Sequence, residues 1–142
     1  MSDLVLIVRL AGERVAFPAD MVASVVELDE IAPVPRAAPH IAGLAALRSR
    51  VLTVIDAYRA IGLDRPGTPS REAVIVELDG HPYAVMVDGV DDVVEAPATA
   101  PLGSRLKGCW SRIAAGTVES DGDILLLIDV AALITGPQAI AA

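Results

Sequence analysis

Cysteine, aromatic side chains and positive charge are all scarce in this chain, and each shortage removes a class of function. A single cysteine, Cys109, rules out an internal disulfide and any multi-cysteine metal site. An unpaired thiol is in keeping with a reducing, cytoplasmic setting. Four aromatic residues (Phe17, Tyr58, Tyr83 and Trp110) leave little to line a ligand pocket, so the interior must be aliphatic. Eleven Lys and Arg against nineteen Asp and Glu give a net charge of −8, the wrong sign for nucleic acid. Long apolar runs are missing too. Leu4–Val8 has no basic leader, and Ile124–Ile134, interrupted by Asp129, falls short of the ~20 residues a membrane-spanning helix needs. A soluble protein with no direct membrane insertion is the expectation.

What remains is rich in Val, Ile, Leu and Ala, which suits β-sheet interiors, and 142 residues correspond to about one domain. Strands are predicted at 4–10, 15–17, 24–28, 51–55, 73–78, 83–87, 93–94, 113–118 and 124–128. Asp79-Gly80 is a strong hairpin signal, and Gly12-Glu13 and Ser120-Asp121-Gly122 mark further turns. The segment 31–39 carries three prolines and must be extended or looped. Asp56 opens a short helix that stops at Gly62, and Asp129 opens another that ends at Gly136-Pro137.

The chain also repeats itself. Val8, Leu10, Gly12, Ala16, Val22, Val25, Val26 and Glu27 recur 68 residues later as Val76, Leu78, Gly80, Ala84, Val90, Val93, Val94 and Glu95. Ala42, Gly43, Leu52, Ile55 and Asp56 recur 73 residues later as Ala115, Gly116, Leu125, Ile128 and Asp129. The change of offset falls in a Pro/Gly loop, where insertion is tolerated. The repeat predicts one domain made of two similar β-rich halves, about 4–64 and 73–136, joined by a linker at 65–72. Each half closed into a small barrel would lose its exposed edges, and packing one on the other would supply a common core.

Chemistry-bearing clusters are few. No Ser/His/Asp or Cys/His set and no phosphate-cradling glycine loop is visible, so a small β-barrel enzyme or ligand binder is the weakest hypothesis. His40 and His81 stand apart with no ligand-spaced partners, which argues against metal or general-base roles. The acidic stretches 88–92 and 119–123 lack calcium-loop spacing and are expected to be turns. Asp56 and Asp129 are expected to cap helices, and Gly43 and Gly116 to sit in turns. Cys109-Trp110 lies in the loop between offsets, its indole placed to pin that loop or anchor a partner. No catalytic residue, metal or cofactor is assigned.

Three segments resemble the CheW-like family of bacterial chemotaxis coupling proteins. They are Ala16-Phe17-Pro18 with Val22, Val25, Glu27 and Leu28; Pro35 through Gly43-Leu44, Leu47-Arg48 and Val51–Asp56; and Val87-Asp88 with Val90, Val93 and Ile128-Asp129. The resemblance implies a mostly β fold of two five-stranded, SH3-like β-barrel subdomains with short helices and no catalytic activity. It implies a cytoplasmic adaptor that bridges the helical tips of chemoreceptors to the regulatory domain of a CheA-type histidine kinase. Arg48 matches the family's arginine beside the receptor cleft, and Val25, Glu27, Gly43 and Leu44 are the other candidate partner-binding residues. Ala46 and Ser49 replace the family's Asn and Gly around Arg48, which leaves open a divergent paralogue serving pilus-type or other kinase signalling.

Overall fold

The Asp79-Gly80 pair has φ of 52° and 79°, the left-handed pair that a two-residue hairpin turn requires, and it joins β6 (Glu72–Leu78) to β7 (His81–Met86). Gly12, at φ 81°, plays the matching part between β1 (Ser2–Leu10) and β2 (Glu13–Pro18). The computed structural model describes residues 2–10, 12–36, 40–47, 49–61, 71–97, 113–120 and 122–135. Its other strands are β3 (Val22–Glu27), β4 (Ile41–Leu47), β5 (Arg50–Asp56), β8 (Gly89–Pro97), β9 (Ala114–Ser120) and β10 (Asp123–Ile128). Two short helices follow β5 and β10: α1 (Ala57–Ile61) and α2 (Val130–Thr135).

The strands form two five-stranded sheets, ordered β8-β1-β2-β10-β9 (sheet one) and β3-β6-β7-β5-β4 (sheet two). Under the repeat these orders are the same order. Each sheet has one parallel seam, pairing Val15 with Leu126 in sheet one and Tyr83 with Thr53 in sheet two. Those pairs are related by the two sequence offsets. The bulges match as well: β8 skips Asp91 against β1, and β3 skips Ala23 against β6. The hairpins are exchanged. β1 and β2 of the first half lie in a sheet with β8, β9 and β10 of the second, while β6 and β7 lie with β3, β4 and β5.

The sheets stay open, which corrects the expectation of closed barrels. No ladder joins β8 to β9 or β3 to β4 among the described residues. Segment 28–34 lies along part of the β4 edge instead, through a single bridge between Ala32 and Leu44.

Three apolar clusters result. The largest draws on both sheets and both helices, with Leu6, Val8, Phe17, Ile55, Val74, Val85, Ile128 and Leu133 among its members. Two smaller ones lie on the opposite faces, around Leu52, Val54, Ile75 and Met86 in sheet two and around Val5, Ile7 and Val118 in sheet one. β1 is therefore covered on both faces, and its run of Val, Leu and Ile suits that position. As expected, Asp56 Oδ1 accepts from the amides of Tyr58 at 3.1 Å and Arg59 at 3.4 Å, and Asp129 Oδ1 accepts from Ala132 at 3.1 Å. The amides of the same two aspartates donate to His40 O at 2.8 Å and Ile113 O at 2.7 Å, again a repeat-related pair.

Candidate functional site

On β3, Val26 and Leu28 face the smaller sheet-two cluster, so Val25 and Glu27 share the opposite face, at the exposed edge of the side that carries the main core. Val25 is 40% exposed at an edge and pairs with Val74, a member of the shared core. The chain then leaves β3, tied by the Leu28 amide to Arg71 O at 2.9 Å and by Arg71 Nη1 to the Leu28 and Asp29 carbonyls. At Ala32 it meets β4. Ala32 N–H donates to Leu44 O at 2.8 Å, and Leu44 N–H donates to Ala32 O at 2.9 Å.

That close approach explains Gly43, which lies in a strand rather than in a turn. A Cβ there would come within 2.3 Å of Ala32 O and 2.8 Å of Ala32 C, and φ is 151°. The register skips Ala42 at this point, so Gly43 belongs to a β-bulge. Gly116 sits next to the equivalent bulge in β9, likewise in a strand, but a Cβ on it would meet nothing within 4 Å.

Between the departing segment and β4 lies a groove of about 310 Å³ lined by Glu27, Leu28, Asp29, Glu30, Ala32 and the strand 44–47. Three carboxylates stand on its rim, and Leu44 is 38% exposed within it. Of the sequence-predicted residues, Glu27 and Leu44 meet here and Gly43 supports the groove from below. Val25 lies one pleat away on the same face as Glu27. Arg48 falls outside the described residues, as does Cys109-Trp110; its neighbour Ser49 has φ 70°, so the corner keeps the left-handed turn without glycine.

Sequence reasoning missed Asp29, Glu30 and Ala32, because nothing local says that the proline-rich segment folds back on β4. It also missed a second groove, of about 310 Å³, on the parallel seam of sheet one. Glu13, Arg14, Val15, Thr117, Ile124 and Leu126 line it. A signal existed: Ile124 repeats Val51 at an offset of 73, and the two are 66% and 64% exposed.

Several other titratable groups have structural partners. Tyr58 Oη donates to Asp88 at 2.6 Å, Arg9 and Arg14 approach Asp91 at 3.0 and 3.6 Å, and Asp92 accepts from the Val93 amide. His40 is buried, and its Nε2–H donates to the carbonyl of Ile134 at the end of α2, 2.8 Å away; its Nδ1 has no partner among the described residues. His81 is exposed. Among the described residues no group of three or more His, Cys, Asp or Glu is placed to hold a metal, and no helix is long and apolar enough to cross a membrane.

A family model, the CheW-like domain, matches residues 4–138. The chain belongs to the CheW-like family. A curated family member, the chemotaxis protein CheW of Thermotoga maritima, is 21% identical over 130 residues, covering 92% of this chain and 86% of that one. The crystal structure of the scaffolding protein TtCheW from Thermoanaerobacter tengcongensis superposes with a TM-score of 0.75 at 23% identity, over 90% of this chain and 89% of that one. The likeness to TtCheW establishes the CheW fold for the two interleaved sheets. The groove residues of sheet two fall inside the matched CheW-like segment.

Proposed function

We propose that this protein is a non-catalytic, cytoplasmic adaptor that couples the cytoplasmic tips of chemoreceptors to a CheA-type histidine kinase. Membership of the CheW-like family over residues 4–138 carries the reading. The exposed Val25 and Leu44 beside Glu27 support it, because apolar side chains next to a carboxylate on an open edge suit protein contact. The receptor tip is assigned to this face, and Arg48, next after Leu47 in the sequence, brings a guanidinium that can make two hydrogen bonds at once. The kinase's regulatory domain is assigned to a different surface, at the ends of the sheets. Holding both partners raises their effective concentration, and packed interfaces then pass receptor shifts on with a coupling of about 1–3 kcal/mol.

Titrating the protein into purified receptor-tip fragments and into the kinase regulatory domain tests this. Both are expected to bind, and Arg48→Glu is expected to weaken the receptor fragment about tenfold while sparing the kinase domain. Binding to neither would refute the adaptor. A second reading, a paralogue that serves pilus-type or other kinase signalling, is favoured by Ala46 and Ser49 standing where the family has Asn and Gly. Binding to the kinase domain alone would select it.

A further inference from the structure

The groove beside β4 has a chemistry of its own, and it deepens the adaptor reading on which it rests. Its lining is largely apolar: Leu28, Ala45 and Leu47 pack toward the sheet-two cluster, and Leu44, on the other face of β4, is exposed. Its rim is anionic: Glu27, Asp29 and Glu30 are all exposed, and no cation lines the groove among the described residues. The nearby Arg71 directs Nη1 to two backbone carbonyls, those of Leu28 and Asp29. The edge of β4 adds a polar element. Leu44 directs both its N–H and its C=O away from β5 to Ala32, so Ala46, two residues on, points the same two groups outward on the same open edge. Apolar contact, backbone hydrogen bonds and negative charge thus converge on one short trough.

We propose that this groove takes a partner segment in which an apolar side chain is flanked by Lys or Arg. The apolar side chain meets Leu44, and the flanking cations meet Glu27 on one side and Asp29 and Glu30 on the other. The chain's net charge of −8 draws such a segment in from a distance. The groove of sheet one makes a natural contrast, since Glu13 and Arg14 put both signs on its rim, with Arg14 also beside Asp91.

The test uses the full chain as wild type and as Glu27→Lys/Glu30→Lys, with thermal unfolding to verify that the variant folds. Two model peptides, one of alternating Leu and Lys and its counterpart of Leu and Glu, are titrated beside the receptor-tip and kinase fragments. Wild type is expected to prefer the Lys peptide by about tenfold at about 0.05 M salt, and the preference should shrink above about 0.5 M. The double reversal should abolish that preference and weaken the receptor-tip fragment by about tenfold while sparing the kinase fragment. Carbodiimide coupling should join Glu27, Asp29 or Glu30 to lysines of the Lys peptide. Equal affinity for the two peptides, or a receptor-tip fragment that binds the reversed variant within about twofold of wild type, overturns the groove inference and leaves the adaptor standing. Failure of both protein fragments to bind wild type refutes the adaptor, while a retained Lys-peptide preference still supports an anionic groove that takes cationic segments.

Discussion

Replacing Gly43 with alanine, and separately Gly116 with alanine, adds the same methyl group at two positions related by the repeat, and the outcomes should differ sharply. At Gly43 the new Cβ falls 2.3 Å from Ala32 O and 2.9 Å from Ile31 Cγ2. The first obstacle is backbone, so the segment carrying Ala32 must move away. Both hydrogen bonds of the Ala32–Leu44 bridge are then lost, at about 1 kcal/mol each. Alanine at φ 151° adds strain of about 1–3 kcal/mol. Together these give a loss of about 3–5 kcal/mol. At Gly116 the methyl meets nothing within 4 Å, and the less flexible unfolded chain brings a change between zero and a gain of about 1 kcal/mol. Urea unfolding of the two variants measures both. A Gly43→Ala loss below about 1 kcal/mol, or equal losses at both sites, would refute the account of the bridge.

Two further substitutions probe other joints. His40→Ala removes the donor that satisfies Ile134 O at the end of α2 and leaves a void; it should cost about 2–4 kcal/mol by urea unfolding, and a neutral result would mean that the contact between the halves is dispensable. Ser49→Gly relieves a side chain held at φ 70° and should stabilise the chain by about 0.5–1 kcal/mol, seen as a rise of a few degrees in Tm; a fall in Tm would show that the serine hydroxyl supports the corner.

The turns and caps were legible because their signals are local. Asp79-Gly80 specifies left-handed backbone at two successive residues, and Asp56 and Asp129 each precede an apolar helix start, so each needs only its immediate neighbours. Gly43 was half-legible. Glycine announces an unusual φ or a close neighbour, but a bulge and a turn make the same demand. The neighbour here, Ala32, arrives from a proline-rich segment with no pattern to place it. The length of β8 was hidden for a related reason, since Asp91 and Asp92 at its bulge break the alternation that marks a strand. The repeat itself was legible as spacing, yet spacing does not say which sheet a hairpin joins. Val5–Val8 would be equally content against β8 or against β3 of its own half, because Val93-Val94-Glu95 and Val25-Val26-Glu27 offer the same run. The groove's rim suffered from both problems: Asp29 and Glu30 look like ordinary loop residues until Ala32 is seen bonded to Leu44.

The exchange of hairpins decides how a docked partner acts on the rest of the molecule. The groove belongs to sheet two, whose centre is the β6–β7 hairpin of the second half. That hairpin leads directly into β8 of sheet one. At the crossover the amide of Asp88 donates to Arg9 O at 3.0 Å, and its carboxylate accepts from Tyr58 on α1. A partner that displaces β3 or β4 therefore works against a shared core and a crossover fixed to β1. It also works against the His40–Ile134 bond, which joins the residue before β4 to the last turn of α2. Close-packed interiors do not deform gradually, so a push on the edge of sheet two is borne by both sheets together. Two sheets joined only by a flexible linker would dissipate the same push in the linker. Interleaving thus gives one small domain two faces that are chemically distinct and mechanically a single body, as the proposed coupling of two partners would need.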